Sequence, residues 1–232
     1  MKIALLGYGR MGKAIEKIAQ DRGHEIVSKI DKNFNEGRLN QSDVAINFSI
    51  PQAAVKNITS ALESAIPVVC GTTGWLDAFE EVKQVALKNN TAFLYASNFS
   101  IGVNLFFKLN ELLAKMMQNQ TDYKASMEET HHVHKLDAPS GTAITLAEDI
   151  IENADLTKWS LDNAAEDELL IKSIREGEVP GTHAIEYASK IDAITIKHEA
   201  FNRQGFALGA VIAAEWIADK KGIFNMNDVL NL

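Results

Sequence analysis

The chain has one cysteine, Cys70, and only four prolines, so no disulfide can close within it and no proline-rich linker divides it. No apolar run approaches the roughly 20 residues that span a bilayer, and Met1-Lys2 leads into a strand-like segment rather than a signal peptide. A membrane partner is not expected, and the cytoplasm is the expected location. Positive charge is scarce: 23 Lys and Arg against 31 Asp and Glu leave a formal charge of −8 with no dense basic run, which argues against nucleic acid as a partner. Any bound anion must be held locally. What is present is an ordinary globular composition, 46% hydrophobic over 232 residues, enough for two modest domains. Cys70 sits in an apolar run and reads as a small core residue.

The first half alternates short apolar runs with helical periodicity. Residues 2–6 read as a strand, Gly7-Tyr8-Gly9-Arg10-Met11-Gly12 as a glycine turn, and 13–22 as a helix. In that order the glycines suit a dinucleotide: Gly7 for a tight turn, Gly9 for approach of the backbone to a pyrophosphate, and Gly12 for close packing of helix on strand. A second strand, 25–30, ends on Asp31, placed to accept hydrogen bonds from an adenosine ribose. Lys32 follows, and a cation there would welcome a 2′-phosphate, so the pair suits either NADH or NADPH. Strands at 43–48, 67–70 and 92–95 and helices at 53–62 and 75–88 complete a parallel βαβ pattern. Ligands of such sheets gather at the C-terminal strand ends, which here are Gly71-Thr72-Thr73-Gly74 and Ala96-Ser97-Asn98-Phe99.

The pattern changes after residue 100. A helix is expected over 103–117, a strand over 123–130, a helix over 141–153, and a polar loop or short helix over 155–168. Period-two runs at 181–187 and 192–200 suggest an open, mostly antiparallel sheet, with His183 and His198 read as core or interface histidines. The nearly all-apolar 206–217 is a buried helix that returns to the first domain. The expected organisation is a Rossmann-like α/β domain, discontinuous over 1–98 and 204–232, and an α+β domain over 99–203 built on an open mixed sheet.

Chemistry concentrates in residues 129–143, where His131, His132, His134 and Lys135 run into Pro139-Ser140-Gly141-Thr142 at a helix start. A solvated polar loop or a metal-binding histidine cluster would also fit these residues, but no carboxylate or cysteine completes a metal set locally, so no metal is expected. A dinucleotide supplies hydride, and reduction of a C=C or C=N bond needs a proton as well. His131 and Lys135 are the candidate proton groups. The hydroxyls and N–H groups of Ser140, Gly141 and Thr142 suit a carboxylate, so the implied substrate is a small unsaturated carboxylic acid.

The run His-His-Val-His-Lys-Leu-Asp-Ala-Pro-Ser-Gly-Thr-Ala at 131–143 resembles the signature of the 4-hydroxy-tetrahydrodipicolinate (dihydrodipicolinate) reductase family of the lysine and diaminopimelate pathway. The similarity extends to Gly7 through Gly12, Phe48-Ser49 with Pro51, Gly71 through Gly74, residues 98–104, Arg203 with Phe206-Ala207, and 226–230. The resemblance implies NADH- or NADPH-dependent reduction of a cyclic dicarboxylate, with His131 and Lys135 as the catalytic proton groups. It implies substrate binding by His132, Ser140, Gly141, Thr142 and Arg203. Cofactor binding falls to Gly7, Tyr8, Gly9, Arg10, Met11, Gly12, Asp31, Lys32, Gly71, Thr72, Thr73, Ala96, Ser97, Asn98 and Phe99. It also implies a homotetramer through the second-domain sheet, burying a face that carries Ile194 and Ile196. The chain departs from the family pattern in a segment trimmed after Asp31, in Asn47 where aspartate is common, and in a glycine loop one residue short. An amino- or imino-acid dehydrogenase and a non-catalytic NAD sensor are the alternatives.

Overall fold

The computed structural model describes residues 1–232, which fold into two compact units, Met1–Ile101 with Gln204–Leu232, and Gly102–Arg203. In the first unit β1 (Lys2–Leu6), α1 (Arg10–Asp21), β2 (Glu25–Asp31), β3 (Phe34–Gly37), β4 (Val44–Asn47), α2 (Pro51–Glu63), β5 (Val68–Cys70), α3 (Phe79–Lys88) and β6 (Ala92–Tyr95) follow in order. The central strands β1, β4 and β5 are buried along nearly their whole length, as expected of a parallel sheet covered on both faces. Ile3, Leu5 and Ile46 pack one face and Ala4, Leu6 and Ala45 the other.

The second unit contains α4 (Ile101–Met117, which opens at the unit boundary), β7 (Lys124–His131), α5 (Gly141–Glu152), β8 (Lys158–Ser160), β9 (Glu168–Arg175), β10 (Thr182–Ala188) and β11 (Ala193–Glu199). The chain then re-enters the first unit with α6 (Gln204–Ile217), β12 (Gly222–Phe224) and α7 (Met226–Leu230). The first sheet runs β12-β6-β5-β4-β1-β2-β3, parallel except for the β2–β3 hairpin. Strand order reverses between β1 and β4, the switch point at which such sheets bind ligands.

Several expectations change. The trimmed segment after Asp31 is a tight hairpin that adds β3, and β12, only three residues, extends the sheet without any sequence alternation to announce it. The polar stretch 155–168 contributes β8 instead of being wholly loop or helix, because three residues suffice to pair with the edge of β9. The second sheet, β11-β10-β7-β9-β8, has two antiparallel and two parallel pairings, so it is mixed rather than mostly antiparallel. Ile194 and Ile196 are not on its open face. They register with Tyr187 and Ile185, which face the layer of α4 and α5, and Ile196 packs on that core. The open face instead carries the Lys172–Glu128 ion pair and the half-exposed Leu170. No helix is long and apolar enough to cross a membrane.

Candidate active site

In the first unit the glycine turn follows β1 at the switch point. Gly7 has φ +99°, and a Cβ there would lie 2.2 Å from the Phe48 carbonyl oxygen, so only glycine fits. A Cβ on Gly12 would lie 2.4 Å from the Gly7 oxygen. Gly9 differs: nothing lies within 4 Å of its would-be Cβ, and as the N-cap of α1 it makes no side-chain capping bond. An open backbone at an uncapped helix N-terminus is the environment a phosphate needs. Asp31 accepts the N–H groups of Tyr8 (2.5 Å) and Lys32 (2.6 Å), which fixes its carboxylate beside this turn. Tyr8 also contacts Glu16, which pairs with Lys29 at 2.6 Å. Arg10 is exposed, and Met11 packs against the core. These residues fit a dinucleotide.

The loops after β5 and β6 divide between structure and surface. Thr72 is buried, and its hydroxyl oxygen accepts from Ser49 N–H (2.9 Å) and Asn47 Nδ2 (3.1 Å), while Trp75 Nε1 donates to its carbonyl (2.7 Å). Its side chain ties the loops after β4 and β5 together instead of facing a ligand. Asn47 also reaches Cys70 Sγ at 3.4 Å, and burial pushes the Cys70 thiol up to about 11, so it is no nucleophile. Phe99 is 1% exposed, its ring 5.6 Å from that of Phe48, so its side chain is core and only its backbone can face a ligand. Gly71 has no room for a side chain against the Phe48 ring. Thr73 is exposed, and Asn98 Oδ1 accepts the Ser100 N–H at 2.9 Å.

In the second unit, alternation along β7 puts Glu129 and His131 on one face. Register brings Ser173 opposite Glu129 and Arg175 opposite His131 on β9, and His183 opposite Glu129 on β10. Glu129 is fully buried. Its Oε1 accepts from Ser140 N–H (3.1 Å), Ser173 Oγ (2.9 Å) and Arg175 Nη2 (3.1 Å). Its Oε2 lies 3.0 Å from His131 Nδ1 and 3.7 Å from His183 Nε2. Burial alone would raise this carboxyl, but the contacts from His131, Ser140, Ser173 and Arg175 overcome it and hold it far below the usual carboxylate range. His183, by contrast, is pushed down to about 4, by burial first and by the neighbouring His131 second.

The other residues of the stretch diverge. Arg203 Nη2 meets His132 Nε2 at 3.2 Å, while His134 stands in the open, 3.4 Å from Glu178. Lys135 Nζ pairs with Asp137 at 2.8 Å, and that contact lowers the Asp137 carboxyl. Ser140 is the N-cap of α5: its Oγ accepts from Ala143 N–H (3.2 Å) and sits 3.1 Å from His183 Nε2, while its N–H is given to Glu129. Both polar groups of Ser140 are thereby used inside the protein, which leaves the N–H groups of Gly141 and Thr142 at the helix start.

The three sequence-adjacent histidines do not converge on a metal. The set that converges is Glu129, His131 and His183, with ligand atoms within 4.8 Å, and Arg175 pairs with the same carboxylate from its other oxygen, 3.1 Å from Oε1. Sequence reasoning missed Glu129, Ser173 and Arg175; the signal it offered was the Glu-x-His spacing on a strand.

A dinucleotide turn at a Rossmann switch point, with a second unit carrying proton-transfer groups beside a free helix start, defines a two-domain nucleotide-dependent oxidoreductase. Comparison with known proteins narrows this class. Residues 1–99 match the family model "Dihydrodipicolinate reductase, N-terminus" and 102–230 match "Dihydrodipicolinate reductase, C-terminus", and the chain belongs to the dihydrodipicolinate reductase family. It is 57% identical over 234 residues to the 4-hydroxy-tetrahydrodipicolinate reductase of Christiangramia forsetii, covering 100% of this chain and 98% of that one. It is 36% identical to the enzyme of that name from Archaeoglobus fulgidus, covering 99% and 100%. The dipicolinate-bound dihydrodipicolinate reductase from Paenisporosarcina sp. TG-14 shares the fold, with a TM-score of 0.82 at 24% identity and 98% of both chains covered.

Proposed function

We propose that the protein reduces 4-hydroxy-tetrahydrodipicolinate to tetrahydrodipicolinate with NADH or NADPH, a step of lysine and diaminopimelate biosynthesis. The observation that carries this reading is the family match over both halves of the chain, together with His131, Lys135 and the start of α5 within one unit. The bound nicotinamide supplies a hydride. Gly9 and the first turn of α1 would hold the cofactor's phosphates, and the Asp31 carboxylate, already oriented by two N–H groups, would accept from its ribose. In the second unit the N–H groups of Gly141 and Thr142 take one carboxylate of the substrate, and the Arg203 guanidinium, linked through Nη2 to His132 Nε2, offers a place for the other. Loss of the ring hydroxyl as water, with a proton from the adjacent ring carbon, leaves a double bond at C4; the hydride would go to C4, and His131 or Lys135 would deliver the proton to the neighbouring carbon. A homotetramer in the cytoplasm, as the family resemblance implies, belongs to the same proposal.

The test is oxidation of NADH and NADPH by purified protein given substrate freshly made from aspartate semialdehyde and pyruvate. Turnover with either cofactor is expected; tight cofactor binding with no turnover would overturn the reading in favour of a sensor. Lys135→Ala is expected to slow turnover roughly 10²- to 10⁴-fold, the usual worth of a positioned general acid, with cofactor affinity retained.

A further inference from the structure

The two oxygens of Glu129 are treated differently. Oε1 receives three hydrogen bonds, two from β9 and one from the N-cap of α5. Oε2 is buried and has no aligned hydrogen-bond partner, and the same is true of His131 Nδ1, 3.0 Å away. A buried carboxylate oxygen left without a donor is costly, and so is a buried N–H left without an acceptor. The arrangement that leaves neither orphaned has the imidazole proton on Nδ1 and the ring turned to aim it at Oε2, 3.0 Å away. His183 does not compete for that oxygen, since its Nε2 is 3.7 Å away and already contacts Ser140 Oγ at 3.1 Å. The far nitrogen of His131 points to where the chain makes room: a Cβ on Gly181 would lie 3.1 Å from Nε2.

We propose that Glu129 is a positioning residue for His131, holding its proton on Nδ1 through Oε2 so that Nε2 is the nitrogen offered to the reaction. The proposal rests on the reading of His131 as a proton-handling group. Glu129 does not touch substrate; it acts through the imidazole, fixing the tautomer and stabilising the ring when it becomes a cation. The charged and titratable groups around the pair are Arg175 from β9 and His183 from β10, with His198 from β11 and Lys135 from the loop before α5 acting on His183 and Asp137 meeting Arg175 through its carbonyl. Arg175 is turned to Oε1 and to the Asp137 carbonyl (2.6 Å). It therefore anchors the carboxylate and leaves Oε2 to the histidine. The three hydrogen bonds on Oε1 fix the carboxylate in the plane that aims Oε2 at β7's last residue.

The first measurement uses the unmutated protein. Nitrogen-15 labelling of histidine, with His131 identified by the signals lost in His131→Asn, reports which ring nitrogen carries the proton at about pH 8, where an imidazole is ordinarily neutral. Protonation at Nδ1 is expected; an Nε2–H tautomer would overturn the proposal without any Glu129 variant. The second uses Glu129→Gln, which keeps the shape but presents an amide that can turn its NH2 to Nδ1 and reverse the tautomer. In a serine-protease triad the corresponding change costs about 10⁴-fold in kcat. Here kcat should fall by roughly 10²- to 10⁴-fold, with KM and NADH affinity within about threefold and the nitrogen signals of His131 exchanged. Glu129→Asp, which keeps the charge, should recover at least about tenfold over the glutamine variant. Unchanged kcat in folded Glu129→Gln, or equal losses in the two variants, would refute a positioning role. Failure of the reductase reading shows itself separately, as absent turnover by the unmutated protein, while the spectrum still reports the tautomer.

Discussion

Lowering the pH from 7 to 5 should destabilise this protein chiefly through His183. The imidazole is 4% exposed, and burial, helped by His131, lowers its folded pKa from 6.5 to about 4. A depressed histidine favours the neutral form in the fold, so its stabilisation is complete above the unfolded value. It is lost as pH falls from 6.5 towards 4, where the unfolded chain binds the proton and the native state does not. Over the window from pH 7 to 5 this difference amounts to about 2 kcal/mol, or roughly 4–8 °C in Tm for a chain of this length. The window also isolates the effect. The carboxyls held low in the fold, Glu129, Glu16, Glu215 and Asp137, keep their stabilisation above their unfolded values and lose it only on further acidification, below about pH 4.5. The assay is urea unfolding at the two pH values for the unmutated protein and for His183→Gln. The variant's absolute stability is immaterial; its pH dependence should be smaller by about 2 kcal/mol. His198, also pushed down by burial, titrates in both proteins and cancels from the comparison. Equal pH dependence in the two would refute the assignment of a buried neutral His183.

Two glycines two residues apart should behave in opposite ways. Gly7→Ala meets both a positive φ and the Phe48 oxygen, and should cost more than the roughly 1–2 kcal/mol of a left-handed L-residue alone, seen as a lowered unfolding midpoint. Gly9→Ala meets nothing within 4 Å and should leave the midpoint almost unchanged while weakening NADH at least about tenfold, a loss of about 1.4 kcal/mol in a binding titration. A normal NADH affinity in that variant would remove Gly9 from the phosphate site. Thr72→Val leaves the Ser49 N–H and the Asn47 amide without their shared acceptor, and should cost about 2–4 kcal/mol by urea unfolding, since each unpaired buried donor costs about 1–3. A cost below about 0.5 kcal/mol would show that the loop repairs itself.

How legible the molecule was depended on whether a signal is local. The glycine turn, the parallel strands and the start of α5 are written in contiguous residues, since turns, strand runs and caps act over a few positions. Short edge strands are not: β8, β12 and the hairpin β3 have no alternation of their own and exist because a neighbouring strand offers unpaired N–H and C=O groups. The same limit applies to the site. His131 and Lys135 stand out as residue types, whereas Ser173, Arg175 and His183 reach Glu129 only through the register of β9 and β10, over 40 residues further along the chain. The placement of Ile194 and Ile196 failed for the same reason, because period two says which residues share a face but not which face the helices cover.

Residue chemistry also says which group is present without saying what it faces. Ser140 looked like a ligand donor because serine at a helix start has a hydroxyl and an N–H to give. In the fold both are spent, the hydroxyl on capping α5 and meeting His183, the N–H on Glu129. This links the helix start to the buried carboxylate, so the N–H groups of Gly141 and Thr142 and the imidazole of His131 are referenced to one fixed point. The adjacent histidines separate for an equally simple reason: side chains of consecutive residues at a strand end point to opposite sides. His131 is turned in to Glu129, and His132 is left for Arg203. His134, beyond the strand, meets Glu178 at the surface and lies with its ring centroid 6.2 Å from that of His132. A cluster that in sequence resembles a metal site is thus dispersed by the backbone into one buried imidazole with a carboxylate partner, one that shares a cation's contact, and one in solvent. The buried member is the one the fold holds against a carboxylate.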